Sequence, residues 1–248
     1  MMKKNIPALA LGLFFILLWQ LIAVAIDAAY ILPSPTQILF KLWELREVLI
    51  TVHLPATMGV TLLGLLISIV LGVFLAVIMD TSAAIENMLY PFIIASQTIP
   101  TTAIAPLFVL WFGYSIWSKV LVTILITFFP IVIAVYDGLK STKREMEELL
   151  ITYGANKKDI FMKLKLPTAL PSFFSAIKMA LPMSIIGAAI AEWLGAQSGL
   201  GYFSKRMMTQ LDGAGVFAPV VLLSFVAMVS VAIVSVIEKK LITWRKEL

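Results

Sequence analysis

The sequence predicts an all-α, polytopic membrane protein with six transmembrane helices. Three observations carry that expectation. Of 248 residues, 61% are hydrophobic and 13% are charged, against an apolar share of about 45–50% in soluble domains. A soluble core of this length could not hide that much apolar surface. The apolar residues gather in six runs, near the ~20 residues a helix needs to cross a hydrocarbon core about 30 Å thick. The basic residues gather on alternate loops.

The runs are 8–26, 55–79, 88–112, 117–137, 170–191 and 216–237. The first follows Lys3 and Lys4, as a secretory signal would. It is longer than a usual signal core and no small-x-small cleavage site follows, so it reads as an uncleaved span. Next comes SPTQ, residues 34–37. Ser34 suits an N-cap, Pro35 the first helical position, and Gln37 completes a capping box. Ile38, Leu42, Leu45 and Leu49 recur at helical spacing behind it. This predicts a helix at the outer surface or an extension of the second span, serving packing or docking.

The second span carries Gly64, Ser68, Gly72 and Ala76. The fifth carries Ser172, Ala176, Ala180, Ser184 and Ala188, then Glu192. Small residues every fourth position let helices approach closely in lipid. A strict four-residue repeat drifts by ~40° per step, so only neighbours such as Ser184, Ala188 and Glu192 share one face. Pro100 and Pro106 fall in the third span, Pro130 in the fourth and Pro182 in the fifth. Each removes a backbone donor and kinks its helix. The freed carbonyls need protein or a water-filled path.

Beside Pro100 lie Ser96, Gln97, Thr98, Thr101 and Thr102. With Ser184 and Glu192 they are the candidates for lining a polar solute's route; bonding to neighbouring helices is the alternative. Glu192 has three readings: binding solute, pairing with a lysine, or reaching outer water. Lys178, inside the fifth span, is expected to snorkel to the inner surface.

Thirteen basic residues fall on one side: Lys3, Lys4, Lys140, Lys143, Arg144, Lys157, Lys158, Lys163, Lys165, Lys239, Lys240, Arg245 and Lys246. Five fall on the other: Lys41, Arg46, Lys119, Lys205 and Arg206. The positive-inside rule puts both termini and the 138–169 loop in the cytoplasm. The divisions are 1–30, first helix and N-terminus; 31–53, outer interfacial helix; 54–215, core with the 138–169 loop; and 216–248, last helix and tail. The net charge of +5 is a matter of membrane topology, and no nucleic-acid partner is expected.

The loop is organised. Residues 143–153 favour helix, with Met146, Leu149, Leu150 and Tyr153 on one side. Gly154 breaks the run. Asn156 caps a second short helix, 157–165, with Asp159 three residues on. Ile160, Phe161 and Leu164 are apolar there, and Leu166-Pro167 is expected to stop it. Two helices at a glycine elbow make a rigid knob. Its apolar ridge suggests a soluble partner.

Glu148-Leu149-Leu150, three residues, Gly154, nine residues, then Leu164-x-Leu166-Pro167 resembles the E-A-A-x3-G-x9-I-x-L-P signature of permease subunits of bacterial ATP-binding-cassette (ABC) importers. Here leucines stand for both alanines and for the isoleucine. ILPSPTQIL at 31–39, SQTIPTTAIAPLFVLWFGY at 96–114 and AEWLGAQSGLGY at 191–202 are similar to the nitrate, sulfonate, taurine and thiamine-precursor branch. SQTIP and IIGAAIAEWLGA at 185–196 look most like permeases for thiamine pyrimidine precursors.

The resemblance implies a type I ABC importer permease (MetI-like) fold in the bacterial cytoplasmic membrane. It implies a coupling helix made by Glu148, Gly154, Ala155, Asn156, Ile160, Phe161, Leu164, Leu166 and Pro167. The implied partners are a second copy of the chain, two ATPase subunits, an external solute-binding protein and membrane lipid. ATP and magnesium would be used by the ATPase, with no cofactor on this chain.

The absences agree. No G-x-x-x-x-G-K-[ST] occurs, so a separate subunit must supply the energy. A complete secondary transporter should carry an inverted repeat, and none is visible. An intramembrane hydrolase would need a serine with a histidine base or paired membrane aspartates. The single histidine, His53, sits at an outer edge, and Asp80 and Asp137 at inner span ends. A receptor or scaffold would use the loop merely as a dock. With no cysteine there is neither a disulfide frame nor a thiolate site, and one histidine makes no metal cluster.

Overall fold

The structure, a computed structural model, describes residues 6–244, and no strand occurs among them. Lys3, Lys4, Arg245 and Lys246 lie outside the described residues. Ten helices follow in order. They are α1 Ile6–Ile26 and α2 Pro35–Glu44, α3 Arg46–Thr81, α4 Ala83–Ser96, α5 Thr101–Phe112, α6 Ile116–Lys140 and α7 Arg144–Thr152. The last three are α8 Lys157–Gly195, α9 Leu200–Thr209 and α10 Gly213–Leu241.

Four of these, α3, α6, α8 and α10, are long and apolar enough to cross a membrane. The expected third span is not one kinked helix. It is two helices, α4 and α5, bent by 93°. Pro100 has no N–H and holds the residue before it away from helical geometry; it becomes the extended N-cap of α5. The described apolar stretch of α1, Ala10–Ile26, falls just short of ~20 residues.

Helix α6 is the centre, packed on α8 along one side and on α3 along another. Gly64 meets Val120 and Thr123 of α6, and Gly72 meets Ile131 and Val132. Eight residues on α3 match eight on α6, so the two run parallel. Gly138 of α6 meets Ser172 and Ala169 of α8, while Gly187 of α8 meets Thr123 and Ile126; that pair is antiparallel. Parallel neighbours need a return crossing between them, and α4–α5 supplies it. The bent pair is therefore a broken span. The whole stripe of Gly64, Ser68, Gly72 and Ala76 is buried, because α6 tracks its drift. The Ser68 and Thr127 hydroxyls bond at 2.7 Å inside this seam.

These directions define two ends. At the knob end lie Lys140, α7 and Lys165, and Asp80 of α3 holds Lys165 there. At the far end, Tyr114 lies against Gly195 and Lys205 donates to the Trp193 carbonyl at 2.6 Å. The capping box at α2 forms as the sequence predicts: Ser34 Oγ accepts from the Gln37 N–H, and the Ser34 N–H donates to Gln37 Oε1. Lys41 of α2 reaches Asp212 at 3.2 Å, before α10. That carboxylate raises the Lys41 pKa above its ordinary value. A small far-end core of Leu49, Leu200, Phe203, Met207 and Ala218 ties α3, α9 and α10 together.

A further expectation is corrected. Leu166-Pro167 does not stop the second loop helix. The chain runs unbroken from Lys157 to Gly195, through a wide turn at Phe161–Lys165 where the Leu166 N–H donates to the Phe161 carbonyl. Widening moves the carbonyl that the Pro167 ring would strike and absorbs its missing donor. The same device, Leu49–His53 before Leu54-Pro55, makes the 46–53 segment continuous with the second span. The Lys178 ammonium meets Glu238, near the end of α10, at 2.7 Å.

Candidate functional site

The knob is built by local signals. Gly154 has φ +84°, a left-handed conformation that glycine adopts without steric cost. Its N–H donates to the Ile151 carbonyl at 2.9 Å, and the Ala155 N–H donates to Leu150 at 3.0 Å. This pair of bonds closes α7 as a Schellman motif. Asn156 then caps α8, accepting from the Asp159 N–H at 2.9 Å. Glu148 faces outward, paired with Arg144 at 2.8 Å.

Because the second loop helix is the start of α8, some of its apolar residues turn inward. Ile160 is buried, and Phe161 packs against the main core. Leu164 and Pro167 are half-buried, and Leu166 is partly exposed. The exposed apolar residues of the knob are instead Met146, Leu149, Ile151, Tyr153 and Met162, with Tyr153 81% exposed.

The broken span presents the second candidate region. A cavity of about 300 Å³ lies beside it, lined by Ser96, Gln97, Ile99, Pro100 and Thr101, with Leu125, Ile126, Phe129 and Pro130 of α6 and Met183 of α8. Three of the five polar candidates, Ser96, Gln97 and Thr101, are thus brought together, next to two prolines. Gln97 is exposed, whereas Ser96 donates to the Ile93 carbonyl at 2.8 Å. Thr98 and Thr102 are exposed outside the lining, and Thr98 donates to Ala95.

Ser184 and Glu192 are elsewhere. Ser184 is fully buried and its hydroxyl donates to the Leu181 carbonyl at 2.7 Å. Glu192 is 1% exposed, so it does not reach outer water. Its Oε2 accepts from the Gly201 N–H at 2.8 Å. Thr57 Oγ1 accepts from Leu200 N–H at 2.8 Å, and His53 Nδ1 accepts from Gly199 N–H at 3.1 Å. Three consecutive donors that open α9 are thus satisfied from α3 and α8. A helix start buried without such partners would be costly. Sequence reasoning missed His53 and Thr57 in this role. The available signal was the GLG run at 199–201, where glycine backbone approaches the acid: a side chain at Gly199 would overlap the Glu192 carboxylate.

Residues 68–243 match the family described as binding-protein-dependent transport system inner membrane component. Similar proteins include the formylaminopyrimidine transport permease protein ThiX of Halalkalibacterium halodurans, 51% identical over 99% of this chain and 100% of that one. The riboflavin transport system permease protein RibX of Chloroflexus aurantiacus is 31% identical over 96% and 91%. The taurine transport system permease protein TauC of Escherichia coli is 25% identical over 96% and 90%.

Proposed function

The chain belongs to the family of binding-protein-dependent transport system inner membrane components, and from that premise we propose how this permease subunit of an ABC importer works and what it carries. The proposed solute is a formylaminopyrimidine, a pyrimidine of the thiamine-precursor class. The observation behind that choice is 51% identity along the full length of a formylaminopyrimidine permease. Two copies would form the pathway. Two ATPase subunits would receive the knobs through Met146, Leu149, Tyr153 and Met162, with Gly154, Ala155 and Asn156 fixing the elbow. Ile160, Phe161, Leu164, Leu166 and Pro167 would root each knob in the core. A solute-binding protein would deliver from the far end.

The knob end would face the cytoplasm, as its concentration of lysine and arginine favours. Ser96, Gln97 and Thr101 would line the route where the span breaks. ATP binding on the partner subunits would draw the knobs together and favour one state of the pathway over the other. In proteoliposomes holding the permease, its ATPase and its binding protein, radiolabelled formylaminopyrimidine should accumulate only with ATP. Excess taurine or riboflavin should not compete. Competition by taurine would overturn the solute class. Cysteines placed at Lys143 and Lys205 on this cysteine-free chain should label from opposite sides, with only position 205 reached from outside intact cells.

A further inference from the structure

We infer that the corner between α3 and α4 is a lever that carries motion from the knob to the broken span, and that Asp80 and Glu86 are its two attachment points. This rests on the coupling role proposed above for the knob. The corner is tight. Helix α3 ends at Thr81, and Ser82 alone separates it from α4, accepting from the Ala84 N–H.

On one side of the corner, Lys165 donates to both carboxylate oxygens of Asp80 at 3.0 Å. The two side chains are 17% and 7% exposed. The same ammonium lies 3.5 Å from Glu147 of α7. On the other side, Glu86 in the first turn of α4 holds Lys140 at 2.8 Å. Lys140 is the last residue of α6 and also lies over the Tyr136 ring. Lys140 is where the chain leaves the core for the knob, and Lys165 is where it returns. Both roots are therefore tied by ion pairs to the same corner, from residues six apart.

What the corner moves is α4. That helix packs chiefly on α3 and carries a single buried residue, Ile93. Its 14 residues run ~21 Å from the corner to the break beside Gln97. A displacement of the knob thus enters α4 at one end and leaves at the cavity. The Asp80 pair is little exposed and hence weakly screened by salt. Removing one partner would leave the other charge poorly solvated. The Glu86 pair is more exposed and should carry less of the load.

The test uses the assembled permease, ATPase and binding protein, with formylaminopyrimidine as the transported probe. Nucleotide-dependent labelling of Gln97→Cys is a second readout that needs no solute. Asp80→Asn with Glu86→Gln should keep ATPase association and ATP hydrolysis. Uptake per ATP should fall at least tenfold, and the nucleotide-dependent change in labelling at position 97 should vanish. Exchanging the charges, Asp80→Lys with Lys165→Asp, and removing the facing acid with Glu147→Gln, should restore at least half of both. Should Asp80→Asn fail to insert, Glu86→Gln alone should still lower uptake per ATP about threefold. An assembled variant with unaltered uptake per ATP and unaltered labelling overturns the lever. So does loss of uptake and hydrolysis in equal proportion, the signature of a merely structural role. If the unaltered assembly shows no ATP-driven labelling change or uptake, the coupling reading itself falls.

Discussion

Helices α6 and α4–α5 are neighbours in sequence and opposites in packing. Helix α6 buries eleven of its 25 residues, including Ser118, Thr123 and Thr127. Helices α4 and α5 together bury two, Ile93 and Ala105. Around α6 the approach is set by glycine, serine and alanine, and a side chain added at Gly64 would come within 2.6 Å of Thr123. Along α4–α5 there are prolines at 91, 100 and 106 and a polar break. Close packing transmits strain and resists deformation. A helix that buries little, and is interrupted, can move with less disturbance of that packing. In the proposed lever, the first is the bearing and the second the moving part.

The strongest way to break this comparison is to overfill the bearing. Gly64→Leu and Gly72→Leu should each destabilise by about 1–3 kcal/mol or more. The expected outcome is loss of the monodisperse peak in gel filtration and uptake at background. Thr98→Leu, on the broken span, should leave assembly unchanged. Equal damage from both would erase the distinction.

Next come the caps that fasten α9 to the bearing. Glu192→Ala or Thr57→Ala would orphan a buried N–H, at about 1–3 kcal/mol, and should lower the thermal midpoint by several degrees. Glu192→Gln keeps an acceptor for Gly201 and should do less. A midpoint unchanged by Glu192→Ala would place the acid in transport chemistry instead.

A smaller effect sharpens the moving part. Gln97→Trp and Thr101→Trp should each reduce uptake several-fold by filling the ~300 Å³ cavity with an indole, while complex assembly stays intact. Normal uptake would reduce the break to a packing feature. Smallest of all, Lys157→Ala and Lys158→Ala, on the exposed flank of the knob, should change ATPase association less than twofold in a co-purification assay. A larger loss would shift the docking surface from the apolar ridge to the charges.

Much of this was legible because the determining signals are local. The small-residue stripe repeats every fourth residue, and the SPTQ box, the Gly154 elbow and the Asn156 cap each act within a turn or two; the structure forms all of them. Proline at 100 was legible as a disturbance, but local chemistry does not distinguish a kink from a 93° break. Leu166-Pro167 reads as a stop, since a proline ring strikes the preceding turn; a wide turn avoids the clash and no composition announces it. Partners distant in sequence were not legible. Lys165 and Asp80 are 85 residues apart, and Lys178 and Glu238 are 60 apart. The same is true of His53 and Thr57, whose acceptor roles depend on α9 arriving from another part of the chain. Hence the polar candidates divided: Ser96, Gln97 and Thr101 line the cavity, Thr98 and Thr102 lie outside its lining, and Ser184 and Glu192 bond to the helical frame.

The wide turn at Phe161–Lys165 also fixes helical phase. A turn closed by a bond from residue i+5 to residue i holds one residue more than an ordinary turn. One residue corresponds to ~100° of rotation about the axis. The knob face that exposes Met162 and the core face that buries Ala169 and Phe174 are therefore offset in sequence phase by this single extra position. Deleting any one residue between 161 and 165 would let the segment relax to a regular helix, with Pro167 striking the turn before it. The 144–160 segment would keep its azimuth relative to the membrane-spanning part, because the extra width leaves together with the extra residue. In this stretch the number of residues carries information that their identity does not.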